Sequence, residues 1–444
     1  MEELLESIAI DIRFSAPFMR FVYLAVEDQQ SDSMKGNSPP ATTPCQINSR
    51  PMPHRWPPYR PALWLCQWLA VLLLVTSTNS VLAAVRRVSP IDSPHVLQKM
   101  ISAAHDGDVI ELASGTYLNW SLVIENKNIT LRGTGVRPVF ASTGASAEGK
   151  ALWVVRGGRV TVENVEFRGV RVASGNGAGI RFESGHLVVN RCVFIDNEMG
   201  LLTGNNADAT LEVLNSEFGA APRFQGGALH HLLYVGSIAS VKVSGSRFQQ
   251  GFQGHLLKSR ARESRIFYNM LLDSSDGQAS YELEFPNGGL AFVVGNIIGQ
   301  SQSSANPALV SYGAEGPRWP QNGLYLSHNT LLNPLSNGIL VQSWQQKFLP
   351  VYEEWLVNNL VIGHGSLGSP LAGRAQGNYH TDRSLDVTDD LNALLAVARA
   401  ASAYANTDAG TAHQQSLVPT AEFHLPTGTR ALTVKRQRLA GALQ

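Results

Sequence analysis

A repeated frame of three short apolar segments constrains the fold of this chain more than any other feature of its sequence. Two of the three segments flank a bend that usually holds asparagine. The first of these two is a strand with alternating apolar residues, and the second is a shorter apolar strand. Asparagine enters the left-handed region readily and can bond neighbouring backbone groups, so stacked asparagines suit a repeated tight bend. Successive bends are 24 to 33 residues apart and lie at Asn164, Arg191, Asn215, Gly245, Asn269, Asn296, Asn329 and Asn359.

A second series of apolar segments lies between these copies, so each period carries three strands. Three strands per period, stacked along one axis, predict a right-handed parallel β-helix of about eight coils. A β-sandwich or a propeller would instead pair strands through tight hairpins, and hairpin dipeptides do not follow this repeat. The second series reads GIRFE (179–183), GLLTG (200–204), LLYVG (232–236), LLKSR (256–260), YELEF (281–285), ALVSY (308–312) and GILVQ (338–342).

The two ends of the solenoid have their own patterns. Residues 94–105 have apolar residues at helical spacing and Pro94 in the first turn, which predicts a capping helix. Residues 388–404 predict a second helix over the far end, with Thr388 as its N-cap. The predicted organisation is therefore a leader (1–83), an N-terminal capping region (84–106), the β-helix (107–365) and a C-terminal cap helix with a tail (366–444).

The leader is predicted to direct export. It comprises 51 upstream residues and a signal peptide over 52–83, whose uncharged run ALWLCQWLAVLLLV (62–75) is followed by small residues at Val81 and Ala83. The run is shorter than the roughly 20 residues that a spanning helix needs. We therefore expect a secreted or periplasmic protein, attached to a membrane only if the leader is not cleaved.

Charge and cysteine content narrow the range of partners. The 35 basic and 35 acidic residues cancel, which argues against a general electrostatic attraction to nucleic acid or anionic membranes. After export only Cys192 would remain, so no internal disulfide can form, and we expect a buried structural thiol. The predicted partner is a polysaccharide, and the predicted state is a monomer.

The start of the solenoid carries a family resemblance. A short amphipathic helix, GDVIELASGTY (107–117) and NITLRGTG (128–135) resemble the opening of pectate-lyase-like right-handed β-helix proteins. The resemblance covers roughly residues 90–365. It implies the fold and not the chemistry, because that fold supports lyases, hydrolases, epimerases and adhesins. Proteins of this kind usually bind sugar chains on the sheet that corresponds to the GIRFE–GILVQ series.

Period-2 alternation on that sheet places a set of polar side chains on its outer side. If Ile180, Leu202, Leu233, Leu257 and Leu283 point inward, the residues that follow them point outward. Tyr234, Lys258 and Glu284 then form an outward column on adjacent coils, with Glu282 beside it. His231 and His255 begin two of these strands. The candidate surface comprises Arg181, His231, Tyr234, His255, Lys258, Arg260, Glu282 and Glu284.

A local resemblance indicates a role for Lys258. The segment LLKSRARESRIFYNMLLD (256–273) resembles the alginate lyase and chondroitinase B family, in which Lys-Ser precedes an Ile-x-Tyr-Asn strand. The resemblance implies that Lys258 is the base, and Tyr234 or Arg260 would supply the acid or neutralise charge. The sequence departs from that family on the next coil, where YELEFPNGG (281–289) replaces an Arg-His-Gly motif. The acidic calcium ligands that the family places before the lysine are also missing.

These patterns leave several functions open. Two neighbouring glutamates would favour the charged form of Lys258, which opposes a role as base, unless Glu282 and Glu284 hold calcium. Without calcium, Lys258 and Glu284 can form a cross-strand ion pair. We expect a polysaccharide lyase that cleaves a uronic-acid glycan by β-elimination. The alternatives are an epimerase, a hydrolase that uses Glu282 and Glu284, and a protein that binds glycan without catalysis.

Overall fold

Three parallel faces wind around one axis, because the apolar segments of each repeat form short strands that pair with the equivalent strands of the next coil. The computed structural model describes residues 83–223, 229–382, 390–433 and 438–444. The predicted leader up to residue 82 lies outside these residues. The strand registers make the chain a parallel β-helix, as predicted.

Face 1 corresponds to the GIRFE–GILVQ series, and face 2 to the strands before the asparagine bends. Face 1 consists of β10 (Met199–Thr203), β13 (Leu233–Val235), β16 (Leu257–Ser259), β19 (Leu283–Phe285), β22 (Ala308–Tyr312) and β25 (Ile339–Ser343). Face 2 consists of β1 (Val85–Val88), β2 (Val109–Leu112), β11 (Thr210–Leu214), β14 (Ser240–Ser244), β17 (Glu263–Phe267), β20 (Leu290–Val294), β23 (Gly323–Ser327), β26 (Glu353–Val357) and β28 (Gly373–Gln376). Three long strands run through both faces: β4 (Leu122–Gly133), β6 (Ala151–Glu163) and β8 (Ala178–Asn190).

Face 3 follows the bends and has eleven strands. The solenoid therefore has more coils than the eight predicted. The missed coils lie at the ends, where the first two bends carry no asparagine and where strands continue past residue 365. Face 3 consists of β3 (Thr116–Leu118), β5 (Val139–Ala141), β7 (Glu166–Arg168), β9 (Val193–Ile195), β12 (Glu217–Gly219), β15 (Arg247–Phe248), β18 (Met270–Leu272), β21 (Ile297–Gly299), β24 (Thr330–Asn333), β27 (Leu360–Gly363) and β29 (Tyr379–Thr381).

Stacked aromatic rings fill the interior along face 3. Tyr117 and Phe140 stack with 4.6 Å between ring centroids, and the series continues through Phe167, Phe194, Phe218 and Phe248 at 4.6 to 6.1 Å. Each ring occupies the second position of its strand, so period-2 alternation directs all of them inward. Cys192 is also fully buried, and desolvation raises the pKa of its thiol, as expected for a structural cysteine.

The asparagine bends differ from the prediction by one residue in the second half of the solenoid. Asn164 and Asn215 do adopt positive φ, but in later coils the left-handed residue is Tyr268, Gly295, His328 or Asn358. The next residue is then a buried asparagine. Asn296, for example, donates from Nδ2 to the Ile266 carbonyl and the Asn329 amide oxygen, and its own Oδ1 accepts from the Asn269 backbone. These asparagines form a ladder inside the bend, through Asn269, Asn296, Asn329, Asn359 and Asn378.

The helices are shorter than predicted, and one has a different place. Helix α1 (Pro94–Ser102) buries Leu97 and Ile101 against the first coils, as expected for a cap. Helix α2 (Leu391–Ala400) begins after Asp390, whose carboxylate accepts from the Asn392 and Ala393 backbone; Thr388 lies outside the described residues. There is also a 3-10 helix at Gln345–Lys347. Within the described residues, no helix is long and apolar enough to span a membrane.

The C-terminal segment covers the outer side of face 3 rather than the end of the coil. Helix α2 packs Leu394 and Val397 with outward apolar residues of face 3 such as Met270, Ile297 and Leu360. The prediction of an end cap was wrong because these strands are apolar on both sides, which requires a second layer. The same segment contains two hairpins, β30 (Thr411–Ala412) with β31 (Gln415–Ser416), and β32 (Ala421–Phe423) with β33 (Thr429–Ala431).

Candidate functional site

The strand register confirms that Tyr234, Lys258 and Glu284 are lateral neighbours on face 1. Tyr234 pairs with Lys258, and Lys258 pairs with Glu284. The inward neighbours Leu233, Leu257 and Leu283 are fully buried, so the three polar residues point to the outer side of the coil. The order of a phenol, an ammonium and a carboxylate on consecutive coils is the geometry predicted from the sequence.

Lys258 is held in place by carboxylates. Its Nζ lies 2.9 Å from Glu284 Oε2 and 3.9 Å from Glu315 Oε1. Only 13% of its side chain is exposed, against 5% for Glu284 and 46% for Glu315. The predicted cross-strand ion pair therefore exists, and it is largely removed from water. The ammonium of Lys258 thus has a buried carboxylate partner on the adjacent coil.

Two histidines on adjacent coils lie beside this pair, with their rings tilted by 45° relative to each other. The His231 and His255 rings lie 4.7 Å apart, and His255 Nε2 lies 2.9 Å from Glu284 Oε2. The backbone N–H of His255 donates to His231 Nδ1, and that of Tyr281 donates to His255 Nδ1. Each Nδ1 is therefore an acceptor, which leaves the ring proton on Nε2 in a neutral imidazole. His255 thus directs an N–H toward the Glu284 carboxylate.

Burial and neighbouring charges shift the pKa values of His231 and Glu284. Desolvation, with the nearby His255, Lys258 and Arg260, lowers the pKa of His231 well below its usual range. Burial by itself would raise the pKa of Glu284. The contacts with His255 and Lys258 outweigh burial, and the pKa of Glu284 is lowered. The site therefore presents a neutral His231 and an ionised Glu284 at neutral pH.

Arg260 forms the outer edge of the site. Its Nε donates to Tyr234 Oη at 2.9 Å, and its fork binds the Glu315 carboxylate, with Nη2 2.7 Å from Oε1. Nη1 also contacts the side-chain oxygen of Asn287. Because Tyr234 Oη accepts from Arg260, its own hydroxyl proton is free to be donated toward the outer surface.

Two contributors to this edge were not predicted. Glu315 comes from the segment between β22 and β23, and Asn287 from the segment between β19 and β20. The Glu315 backbone N–H donates to the Pro286 carbonyl, which fixes the backbone of this loop beside Arg260. Both residues reach the site from loops on neighbouring coils, and no spacing or motif in the sequence marks them.

The predicted place of Glu282 was wrong. It is fully buried, and in register it stacks between Leu256 and Leu309 of the interior cluster, away from the outer surface. Strand β19 begins only at Leu283, so the bend before it turns Glu282 inward. Neither carboxylate oxygen has a hydrogen-bond partner among the residues that the structure describes, and desolvation together with Asp273 raises the pKa of Glu282 well above its usual range.

This placement also overturns the calcium site. Calcium requires six to eight oxygen ligands, and Glu282 and Glu284 do not share a surface. Glu284 is already in contact with Lys258 and His255. Within the described ranges, no group of three or more histidines, cysteines, aspartates and glutamates is arranged to hold a metal. The two glutamates therefore do not fit a calcium ion.

Arg181 shares the column but lies apart from Lys258. Arg181 pairs with Leu202, and Leu202 pairs with Tyr234, so an apolar residue separates the arginine from the polar group. The apolar pattern of the sequence predicts that Leu202 points inward. Leu201 takes that place, and Leu202 joins Val154 and Met199 under the loop that carries Ala147. Arg181 is therefore outside the polar cluster around Lys258.

Comparison with known proteins adds distant likenesses in structure. No family model matches the chain, and no curated protein matches it. It is similar to pectate lyase Pel9A (TM-score 0.43, 13% identity, 81% of this chain and 96% of that one). It is also similar to the PL6 family alginate lyase AlyGC (TM-score 0.41, 14% identity, 68% of this chain) and to ORF18 of Geobacillus virus E2 (TM-score 0.40, 11% identity, 73% and 64%).

This chain spans 40% of the length of the alginate lyase. The strand registers establish the parallel β-helix. At such low identity the neighbours do not transfer an activity, so any function must be inferred from the chemistry of the site.

Proposed function

We propose that this chain is a polysaccharide lyase that cleaves a uronic-acid glycan at the surface formed by Tyr234, Lys258 and Arg260. The observation that carries the proposal is the contact of these three groups on adjacent coils. Arg260 donates to Tyr234 Oη at 2.9 Å, and Tyr234 pairs laterally with Lys258. β-Elimination needs a group to neutralise the sugar carboxylate, a base for the C5 proton and an acid for the leaving oxygen.

Arg260 supplies the carboxylate site. Its guanidinium already binds one carboxylate, that of Glu315, through both terminal nitrogens. A guanidinium fork matches a carboxylate in this geometry. The Glu315 side chain is the exposed partner of the two carboxylates in the cluster. A uronate carboxylate therefore binds Arg260 by replacing Glu315.

Tyr234 and Lys258 supply the proton transfers. Lys258 takes the C5 proton, the C4–O bond breaks as the C4–C5 double bond forms, and Tyr234 gives its hydroxyl proton to the leaving oxygen. Lys258 can act as base only from its neutral form, which Glu284 disfavours.

A second candidate is glycan binding without catalysis, and the ion pair itself favours it. A lysine held 2.9 Å from a buried glutamate is a stable donor for sugar oxygens and a poor base. An epimerase would use the same proton abstraction and return a proton to C5. A hydrolase that uses Glu282 and Glu284 is not supported, because Glu282 is in the interior.

The decisive experiment follows the ultraviolet absorbance of unsaturated uronides on alginate, pectate, chondroitin and heparan chains, with calcium and with chelator. Lys258→Ala and Tyr234→Phe should abolish the signal. Lys242→Ala should not, because Lys242 pairs with Glu212 on face 2 in a similar cross-strand pair. No absorbance change with folded wild-type protein, together with Lys258-dependent glycan binding, would replace the lyase with the binding function.

Export is part of the same proposal. The substrate class is extracellular, and the apolar run 62–75 with small residues at 81 and 83 is typical of a cleaved signal peptide. N-terminal sequencing of protein recovered outside the cytoplasm should begin near Ala84. A protein retained with residues 52–83 intact would contradict cleavage. We also propose that the exported protein acts as a monomer, which sedimentation would test.

A further inference from the structure

We propose that a second surface of this solenoid binds an oxyanion, such as a carboxylate or sulfate group of an anionic glycan. The surface, called here the arginine groove, lies between the ridge of left-handed bends and the tip of the β32–β33 hairpin. It encloses about 650 Å³ and is lined by Arg132, Arg137 and Arg191. The bends that form it join face 2 to face 3, so the groove lies on another edge of the coil from Lys258.

The repeat itself aligns the arginines. Arg132 at the end of β4 pairs with Glu163 of β6, and Glu163 pairs with Asn190 of β8, the residue before Arg191. Arg132 and the bend that carries Arg191 are therefore two coils apart, roughly 10 Å along the axis. Arg137 lies two residues before β5 and lines the same groove. The groove therefore presents guanidinium groups along the direction in which the coils stack.

Within the described part of the chain, two of the three cations have no counter-ion. Arg132 Nε lies 2.7 Å from Glu163 Oε2. Among the residues that the structure describes, no ion pair involves Arg137 or Arg191, and no acidic residue lines the groove. Arg137 Nε is shielded from solvent without a hydrogen-bond partner. Shielded donors in folded proteins nearly always have partners, so this one indicates an acceptor that the chain does not supply.

The opposite wall is polar and fixed. The tip of the hairpin contributes Thr427, Gly428 and Thr429 to the lining, and the Gly428 N–H donates to the Gly245 carbonyl at 2.8 Å. A Cβ on Gly245 would come within 3.0 Å of the Gly428 backbone, so glycine permits this close approach. Threonine hydroxyls and guanidinium forks together form a donor-rich site that suits the oxygens of a carboxylate, sulfate or phosphate group.

The test compares the full chain with a double variant, Arg137→Gln with Arg191→Asn. Asparagine suits position 191 because Asn164 and Asn215 hold the same left-handed bend on the adjacent coils. Titration calorimetry with sodium sulfate and with inorganic phosphate should show binding that weakens about tenfold or more in the variant, since charge-assisted bonds to two forks are lost. A matched control, Arg87→Gln with Arg168→Gln, removes the same charge from exposed arginines paired with Glu111 and Glu166.

A uronate oligosaccharide, titrated in the Lys258→Ala background, distinguishes the two sources of the oxyanion. Tighter binding of the oligosaccharide than of sulfate identifies a glycan, and equal binding identifies a free anion. Unchanged sulfate binding in the double variant, or an equal loss in the control, would overturn the proposal. If the double variant fails to fold, Arg191→Asn alone should still weaken sulfate binding, and unchanged affinity would be decisive against the groove. None of these outcomes depends on whether the Lys258 surface is catalytic.

Discussion

Breaking the ion pair between Lys258 and Glu284 should destabilise the solenoid, and removing both partners should cost clearly less than the sum of the two single changes. Glu284→Gln keeps an oxygen that can accept from His255 but leaves the Lys258 ammonium without its partner at 2.9 Å. Removing one member of a buried pair costs roughly 3 to 5 kcal/mol. Because Lys258 is 13% exposed and Glu315 lies 3.9 Å away, we expect about 2 kcal/mol.

The reverse change, Lys258→Met, leaves Glu284 buried and ionised, and we expect a cost of about 3 kcal/mol. The double variant should cost about 3 kcal/mol as well, which corresponds to a coupling energy of about 2 kcal/mol. Urea unfolding monitored by circular dichroism gives the four free energies, with unchanged m-values as the condition for comparison. The exposed pair Lys242–Glu212, at 3.4 Å, is the control and should show a coupling of about 0.5 kcal/mol.

The dependence on pH provides a second measurement. Because the folded pKa of Glu284 is lowered, its contribution is present above the ordinary carboxyl range and is lost as the pH falls through the lowered value. Acidification should therefore destabilise the wild type more than Glu284→Gln. A coupling energy below about 0.5 kcal/mol, with equal pH profiles, would refute the pairing and leave Lys258 free to act as a base.

Three further perturbations test other parts of the structure. Glu282→Leu restores the interior leucine column and should stabilise the protein by about 2 to 4 kcal/mol in urea unfolding at pH 7. The gain should shrink on acidification, because the pKa of Glu282 is raised and the cost of burying its ionised carboxylate in the wild type grows as the pH rises. A Glu282→Leu variant less stable than the wild type would mean that Glu282 has a partner. Asn296→Leu should cost about 3 kcal/mol by leaving the buried partners of the ladder unpaired, and a change below about 1 kcal/mol would contradict the ladder. Glu315→Gln should increase the affinity for uronate oligosaccharides about tenfold in calorimetry, while Glu111→Gln should leave it unchanged.

The sequence predicted the solenoid because its evidence is periodic. Alternating apolar residues and bends at a nearly constant interval recur in every coil, so an error in one copy does not change the architecture. The bend itself was misplaced by one residue, since asparagine occupies two adjacent positions with different roles. Asn164 adopts positive φ, whereas Asn296 is a buried ladder residue after Gly295. Residue type alone does not distinguish these two positions.

The candidate site was predictable where neighbouring strands share one register. Leu233, Leu257 and Leu283 each precede a polar residue, and this alternation places Tyr234, Lys258 and Glu284 side by side. The alternation is ambiguous where two leucines adjoin, as at 201 and 202, and that coil was aligned wrongly. Glu282 was misplaced for another reason: β19 has only three residues, so the period-2 rule does not extend to the bend before it.

One of the two carboxylates that balance the charge of the site, Glu315, could not be predicted, because it extends from a loop. Lys258 and Arg260 are balanced by Glu284 and Glu315, so the cluster has no excess charge to attract a uronate. Glu284 is fixed by His255 and is 5% exposed, whereas Glu315 is 46% exposed and extends from a loop. Only Glu315 can therefore leave without exposing the interior. A neutral sugar has no group to take its place on Arg260, but a carboxylate does, and the exchange keeps the charge balanced. Under the proposed function, the arrangement would select acidic glycans by substitution of one carboxylate for another.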